Sequence, residues 1–252
     1  MKVLHVLNYA WPYIDGYTAR SIGLIGAQAE HLDGVEPQVA VSPFEPLAQG
    51  RDERFTTPSW GPGLQLRAVR HANGTAVGTR SWERPALGLA PATAADFRRE
   101  LESVARRTGA QIIHVHHPHY IAGPALDVAA TLGLPAVFEL RCFNGYYDLG
   151  TGSPIRTLRG RWQNRLDLEL AREASAVVTI ADGLAGIMTR NGVSPERLTI
   201  VRNSVDTTRF HPDGKRDAFA TRAAGSDGLR ELHVGYATTF ERIENLDEAV
   251  RA

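Results

Sequence analysis

Four histidines within six positions are the residues of this chain best suited to acid–base or metal chemistry: His114, His116, His117 and His119. The β-branched run before them predicts a buried strand, and Pro118 ends its hydrogen-bond ladder. Open α/β sheets bind their ligands at the carboxyl ends of the strands, so we expect His116 to face a substrate cleft. His114 shares that face but lies deeper, so we expect it to pack in the core.

A metal site is the alternative explanation for so many histidines. Such a site needs three or more convergent ligands with supporting contacts. Strand alternation directs His117 away from His114 and His116, and no cysteine, aspartate or glutamate forms a ligand motif beside them. We therefore expect no metal and no other bound cofactor.

Other polar residues lie where predicted elements begin or end. A helix is expected to begin near Gly16, which either lets a ligand approach the backbone or only permits a turn. Arg20, one turn later, either reaches the cleft or pairs with an acid on the surface. Glu139 and Arg141 point to the same side of a strand, either as a pair facing the cleft or as an ion pair that holds the aromatic loop 143–147.

Strands alternate with helices over the first 200 residues. Strands are predicted at 3–7, 38–41, 64–69, 136–140, 176–180 and 198–201, besides the one that opens at Gln111. Helices are predicted at 18–32, 93–107, 122–132, 155–173 and 183–190. This alternation indicates an α/β fold, a Rossmann-like doubly wound parallel sheet with helices on both faces. The first strand–helix turn lacks G-x-G-x-x-G, which disfavours dinucleotide binding.

The pattern changes near the carboxyl end. Residues 1–210 are predicted to form the Rossmann-like domain and residues 211–230, which are polar and charged, a linker. Residues 231–252 hold one predicted strand and the start of a helix, which cannot bury their apolar faces alone. We therefore expect a further carboxyl-terminal segment to complete a second domain.

The composition excludes several classes of protein. Lysine and arginine together number 28, as do aspartate and glutamate, so no net basic field favours nucleic-acid binding. No signal peptide and no apolar run of about 18 residues is evident. The single cysteine cannot form an internal disulfide, which fits a reducing compartment. We expect a cytoplasmic protein, with peripheral contact to the inner face of a membrane left open.

Five segments occur in an order that resembles the family 4 glycosyltransferases. They are residues 16–21 (GYTARS), 113–118 (IHVHHP), 138–141 (FELR), 173–184 (EASAVVTIADGL) and 201–212 (VRNSVDTTRFHP). The resemblance implies a GT-B fold, with an acceptor-binding amino-terminal half and a donor-binding carboxyl-terminal half. It also implies sugar transfer from a nucleotide-sugar with retention of configuration and without a required metal.

The resemblance assigns roles by position. His116 matches the histidine that lines the transferred sugar, and we take it as catalytic. The expected acceptor-binding residues are Asp15, Gly16, Tyr17, Arg20, His117 and Arg141. The expected donor-binding residues are Gly16, Asn203, Thr239 and Arg242. Glu244 and Asn245 depart from the family's usual lysine and glycine.

The implied substrates are a nucleotide-sugar donor and a carbohydrate, glycolipid or small-molecule acceptor. Because the family's donor-side glutamates would lie beyond residue 252, we expect the chain alone to be catalytically inactive. Two alternatives stay open: a non-catalytic module that binds an acceptor or recruits a partner, and another GT-B enzyme such as a sugar-nucleotide epimerase.

Overall fold

The computed structural model describes residues 1–8, 16–42, 66–68, 91–149, 152–207 and 246–251. The chain divides into two compact units, Met1–Asn203 and Ser204–Ala252. The predicted linker 211–230 and the predicted strand at 232–236 lie outside the described residues.

The first unit is built on a seven-stranded sheet in which each neighbouring pair of strands is parallel. The strands are β1 (Lys2–Leu7), β2 (Glu36–Val41), β3 (Leu66–Ala68), β4 (Ile112–His116), β5 (Ala136–Leu140), β6 (Ala176–Thr179) and β7 (Leu198–Ile200). Their order is β3-β2-β1-β4-β5-β6-β7, which confirms the predicted Rossmann-like α/β fold. The order reverses between β1 and β4, the place where such sheets open a ligand crevice at their carboxyl ends.

The described residues of this unit form six α-helices. They are α1 (Gly16–His31), α2 (Pro91–Thr108), α3 (His119–Leu132), α4 (Tyr146–Leu149), α5 (Pro154–Glu173) and α6 (Asp182–Arg190). In the second unit the structure describes α7 (Leu246–Arg251). No helix in the described ranges is long and apolar enough to cross a membrane.

The helix predictions are confirmed with two differences. The third helix begins at His119, directly after Pro118, rather than at 122. Residues 146 and 147, predicted within the aromatic loop 143–147, instead begin the short helix α4. Gly133 ends α3, because at φ 66° it adopts the left-handed conformation that favours glycine.

The two faces of the central strands differ in chemistry. One face carries Leu4, Val6, Ile113, Val115 and Phe138, which join the main apolar core with side chains of α2 and α3. The residues that alternate with them include the polar His5, His114, His116 and Glu139, and helix α1 contacts His5 and Glu139. A second, small apolar cluster packs Ile25 of α1 on Leu7, Val39 and Val41. His116 and Glu139 lie at or next to the carboxyl ends of β4 and β5, the edge at which such sheets bind ligands.

Helices α4 and α5 approach each other through two glycines. A Cβ built on Gly160 would overlap the carbonyl oxygen of Gly145 and lie 3.1 Å from Cβ of Asp148. Backbone cannot yield as a flexible side chain does, so the contact requires glycine at both positions.

We expect Gly160→Ala to lower the free energy of unfolding by about 1–3 kcal/mol, the usual cost of overpacking a tight contact. Gly23→Ala is the matched control, because no described atom lies within 4 Å of its added Cβ. Alanine within helix α1 is expected to leave stability unchanged or raise it by up to about 1 kcal/mol. Urea unfolding followed by circular dichroism measures the stability of both variants. Equal free energies of unfolding for Gly160→Ala and Gly23→Ala would show that the contact between α4 and α5 does not require glycine.

Candidate functional site

Five side chains meet on the polar face where β1, β4 and β5 lie side by side: His5, His114, His116, Glu139 and Arg141. His5 pairs with His114 across β1 and β4, and His116 pairs with Glu139 across β4 and β5. The rings of His114 and His116 stack with centroids 4.4 Å apart, so the two share a face as predicted. All five side chains are buried.

Glu139 is the only carboxylate among these five and is held between two guanidinium groups. Its Oε1 accepts a hydrogen bond from Nε of Arg20 at 2.8 Å and another from Nε of Arg141 at 2.9 Å. Burial alone would raise the pKa of Glu139, but the hydrogen bond from His114 and the charge of Arg141 outweigh burial and hold it well below its usual value. The carboxylate is therefore ionised, and the two arginines compensate its buried charge.

Arg141 ties the end of β5 to helix α1. Its Nη1 donates to the carbonyl oxygen of Tyr17 at 2.6 Å, and its Nη2 donates to Oγ of Ser21 at 2.9 Å. Nη2 also contacts Nδ1 of His116. The Glu139–Arg141 ion pair predicted from the sequence thus forms, and it anchors α1 as well as β5.

A directed chain of hydrogen bonds runs from Arg141 through two histidines to Gln28. Because a guanidinium only donates, Nδ1 of His116 must accept and the ring proton must lie on Nε2. That Nε2–H donates to Nδ1 of His5 at 2.9 Å, and Nε2–H of His5 donates to Oε1 of Gln28 at 2.8 Å. This assignment satisfies every nitrogen of the two rings with both of them neutral.

Burial favours the same neutral state. It is the main cause that lowers the pKa of His5 to about 3 and the pKa of His116 well below its ordinary value. Both ring nitrogens of His116 therefore have protein partners, and its side chain is only 1% exposed. A catalytic role for His116 stays a prediction.

One ring nitrogen from each of His5, His114 and His116 lies within 4.8 Å of the other two, which is the spacing of a metal site. A cation there would have to replace the His5–His116 hydrogen bond and lie beside the guanidinium of Arg141. Those contacts fit hydrogen bonding better than metal binding. The expected absence of a metal stays a prediction.

Arg20 joins this network to the last residues of the first unit. Its Nη2 donates to the carbonyl oxygen of Val201 at 2.8 Å. Its Nη1 donates to the carbonyl oxygen of Arg202 at 3.2 Å and to Oδ1 of Asn203 at 3.1 Å. The sequence offered either the cleft or a surface acid as the partner of Arg20, whereas its acid is the buried Glu139.

A second polar cluster lies around His117. Its Nε2 is 3.2 Å from Oδ1 of Asp167 on α5, and Nδ1 of His119 is 3.7 Å from the same oxygen. The hydroxyl of Tyr17 lies 3.5 Å from Nδ1 of His117 and 2.7 Å from Sγ of Cys142. Burial is the main cause that raises the pKa of Tyr17 and lowers that of His119. His117 therefore points away from His116, as predicted, and contacts a different helix.

The other predicted site residues are scattered or undescribed. Gly16 is exposed at the start of α1, and no described atom lies within 4 Å of an added Cβ. Asn203 is exposed and accepts a hydrogen bond from Arg20. Asp15, Thr239 and Arg242 lie outside the described residues.

Sequence reasoning missed three members of these clusters: His5, Gln28 and Asp167. A histidine within an otherwise apolar first strand was a signal that could have found His5. Asp167 falls at helical spacing with the buried Gly160, Gln163 and Ala171 of α5, so its place on the inner face was also readable. Gln28 gave no signal, because its role depends on where α1 meets β1.

The buried neutral histidines predict a pH dependence of stability. The unfolded chain binds a proton on His5 near pH 6.5, whereas the folded chain does so only near pH 3. The contribution of each neutral histidine to the free energy of unfolding is therefore fully present above about pH 6.5. It falls as the pH drops toward 3, by about 1.4 kcal/mol per pH unit for each such histidine. We expect His5→Gln to reduce that slope by one histidine's share, as measured by urea unfolding at several pH values.

His31→Gln is the matched control, since the His31 side chain is exposed at the end of the same helix. It should leave the slope unchanged. An unaltered slope in His5→Gln would show that His5 takes up its proton equally in the folded and unfolded states, and the neutral hydrogen-bond chain would then be wrong.

Several solved structures share the fold at low sequence identity. The apo lipopolysaccharide outer core galactosyltransferase WaaB is 12% identical with a TM-score of 0.53, covering 86% of this chain and 50% of its own. A sucrose-phosphate synthase from Thermosynechococcus elongatus is 11% identical with a TM-score of 0.50, and the match covers 88% of this chain and 94% of the synthase chain. A UDP-GlcNAc 2-epimerase from Neisseria meningitidis, bound to UDP-GlcNAc, is 13% identical with a TM-score of 0.50, and the match covers 79% of this chain and 45% of the epimerase chain.

The chain thus spans about half the length of WaaB and of the epimerase. A search of curated protein sequences finds no significant match. The model of Glycosyltransferase Family 4 matches residues 45–209, which is more than half of the chain and includes β4, β5 and four of the five clustered side chains, all except His5. The chain belongs to glycosyltransferase family 4.

Proposed function

We propose that this chain is the acceptor-side part of a retaining glycosyltransferase that uses a nucleotide-sugar donor. The observation that carries the proposal is the family match across residues 45–209. The acceptor is a sugar, a lipid-linked sugar or a small metabolite, and the group transferred is a hexosyl unit. The proposed location is the cytoplasm, at or near the inner face of the membrane.

A nucleotide-sugar donor is supported by two structural neighbours. The Neisseria meningitidis epimerase is bound to UDP-GlcNAc, and the S. aureus protein MnaA, with a TM-score of 0.50, was solved with UDP. In the proposed reaction the bond from the sugar C1 to the diphosphate breaks, and a bond from C1 to an acceptor oxygen forms on the same face. The nucleoside diphosphate leaves with the bonding electrons and takes up the proton that the acceptor hydroxyl loses.

The residues of the first unit have distinct proposed roles. His116 lies beside the transferred sugar, and one of its two hydrogen bonds exchanges for a sugar hydroxyl when the donor binds. The exposed amino terminus of α1 at Gly16 is the positive end of a helix dipole, which favours an anion such as a donor phosphate. Tyr17, Arg20 and Arg141 hold α1 in place through the contacts with β5, so they orient the acceptor side of the site.

The direct test compares this 252-residue chain with the same chain extended by a carboxyl-terminal donor half. Release of nucleotide from UDP-glucose, UDP-galactose and UDP-GlcNAc is measured with a panel of sugar and lipid-linked acceptors. We expect turnover only in the extended protein, and we expect His116→Ala to abolish it while circular dichroism shows an intact fold. Loss of turnover without loss of donor binding assigns the histidine to the chemical step.

Other results would overturn parts of the proposal. Turnover by the short chain alone would show that the donor site lies within residues 1–252. Conversion of UDP-GlcNAc to its 2-epimer without any acceptor would favour the epimerase alternative. Acceptor binding without turnover in either protein would favour a non-catalytic module.

Arg20 provides a second test, because it links the buried carboxylate to residues 201–203. Lysine keeps the charge but cannot make the four donor contacts of a planar guanidinium. We expect Arg20→Lys in the extended protein to lower kcat/KM by about tenfold to a hundredfold through misplaced site residues. Arg98→Lys, in an exposed pair with Asp127, is the control and should leave kcat/KM unchanged. Equal kcat/KM values in the two variants would show that Arg20 has no positioning role.

A further inference from the structure

The first half of helix α5 exposes its apolar residues to solvent, whereas Leu168 and Leu170 in its second half pack against the main apolar core. The buried residues of α5 are Gly160, Gln163, Asp167 and Ala171. On its outer side, Ile155 is 82% exposed, Leu158 is 71% exposed and Trp162 is 37% exposed. An ordinary surface helix has the opposite arrangement, with its apolar stripe turned inward.

The exposed apolar residues of α5 form a continuous stripe. Ile155, Leu158 and Trp162 are spaced by three and four positions, which places them along one side of a helix. Gly160, through which α4 packs on α5, lies on the opposite side of the helix at 100° per residue, so the stripe points away from that contact. We call these three residues the outer apolar face.

Arginines border the outer apolar face on both sides. The segment from Pro154 to Arg165 contains four arginines and no acidic residue: Arg156, Arg159, Arg161 and Arg165. At 100° per residue, Arg159 and Arg156 fall on one side of the apolar stripe, and Arg165 and Arg161 fall on the other.

Only part of this positive charge is compensated. Asp148 accepts hydrogen bonds from both Arg156 and Arg159, and Glu169 accepts one from Arg165. Arg161 is exposed and makes no ion pair with a described residue. Four arginines against two acids leave the border of the apolar face positive.

We propose that helix α5 docks on the surface of an anionic lipid bilayer through its outer apolar face. A helix that lies in the plane of a membrane buries an apolar stripe among the acyl chains and keeps basic residues at the headgroups. Tryptophan favours that interface because its ring is amphipathic, and arginine stems reach along apolar surface to the phosphates. Helix α5 carries both residue types along its exposed apolar stripe.

The same charges disfavour a second copy of this chain as the occupant. A two-fold symmetric contact through the outer apolar face would bring the arginine borders of both copies together. Like charges facing each other across an interface oppose association, whereas anionic headgroups neutralise them. The inference does not depend on the proposed transferase activity, because membrane binding is measured without donor or acceptor.

Vesicle co-sedimentation tests this surface directly. We expect the chain to sediment with vesicles of phosphatidylcholine and phosphatidylglycerol at a ratio of three to one, and to remain in solution with phosphatidylcholine alone. The double variant Ile155→Ser/Leu158→Ser should weaken binding by about tenfold or more, because it removes the two aliphatic side chains that the bilayer would bury. Arg161→Gln should weaken it by about fivefold at low salt and less at high salt.

Matched controls distinguish vesicle binding through this surface from nonspecific vesicle binding. Leu32→Ser removes an apolar residue that is 51% exposed at the end of α1, and Arg107→Gln removes an exposed charge of α2. Both should bind anionic vesicles as the unaltered chain does.

Three results would overturn the proposal. They are no sedimentation with anionic vesicles, equal losses in the control variants, and a dimer in sedimentation velocity that Ile155→Ser/Leu158→Ser converts to monomer. Circular dichroism of each variant confirms the fold, and the altered residues are exposed, so loss of structure does not confound the comparison.

Discussion

The carboxylate of Glu139 is the constraint on which the rest of this site depends. A buried charge is costly unless it is paired and hydrogen-bonded, and Glu139 is paired twice, by Arg20 and by Arg141. Each arginine then uses its remaining N–H groups on other elements. Arg141 holds Tyr17, Ser21 and His116, while Arg20 holds the backbone after β7. One carboxylate thus fixes the positions of α1, β4, β5 and the end of the first unit.

This arrangement explains why α1 carries so few buried apolar residues. Ile25 lies in an apolar cluster with the partly buried Ile22 packed against it, and the other buried residues of the helix are Thr18 and Ser21. Packing of an apolar stripe normally holds a surface helix on a sheet. Here directed hydrogen bonds contribute instead, and they specify the rotation and height of α1 more narrowly than apolar contacts would. Such precision suits a helix whose first residue lies at the ligand edge of the sheet.

The sequence predicted the sheet well because strand and helix periods are local properties. Runs such as Val3–Leu7 and Ala136–Leu140 are readable without knowing their neighbours, and the order of elements then favours a parallel sheet. The site was harder, because its contacts join residues more than 100 positions apart, as Arg20 and Glu139 are. Spacing on one strand showed that Glu139 and Arg141 share a side. It could not show that a second arginine completes the pair.

The exposed stripe on α5 escaped the sequence reading for a different reason. Periodicity shows that Ile155, Leu158 and Trp162 share one side of a helix, and the ordinary rule assigns an apolar side to the core. The same helix also carries Gly160, Gln163 and Asp167 on another side, and the structure buries that side instead. Close approach of α4 requires glycine, and the histidines after β4 face Asp167.

The chain of hydrogen bonds from Arg141 to Gln28 adds a further restriction, because it has only one consistent protonation state. A second proton on His5 would face the N–H of His116 at a separation of 2.9 Å, and a second proton on His116 would face Arg141. Either change breaks a link, and the guanidinium that orients α1 loses one of its partners. The protonation of two histidines is therefore coupled to the placement of the helix that begins at Gly16.

A ligand that takes over one bond of His116 must likewise leave its other ring nitrogen bonded, so it has to offer an acceptor toward Nε2 or a donor toward Nδ1. A sugar hydroxyl can do either, since it both donates and accepts, which is why this buried histidine stays compatible with a carbohydrate site.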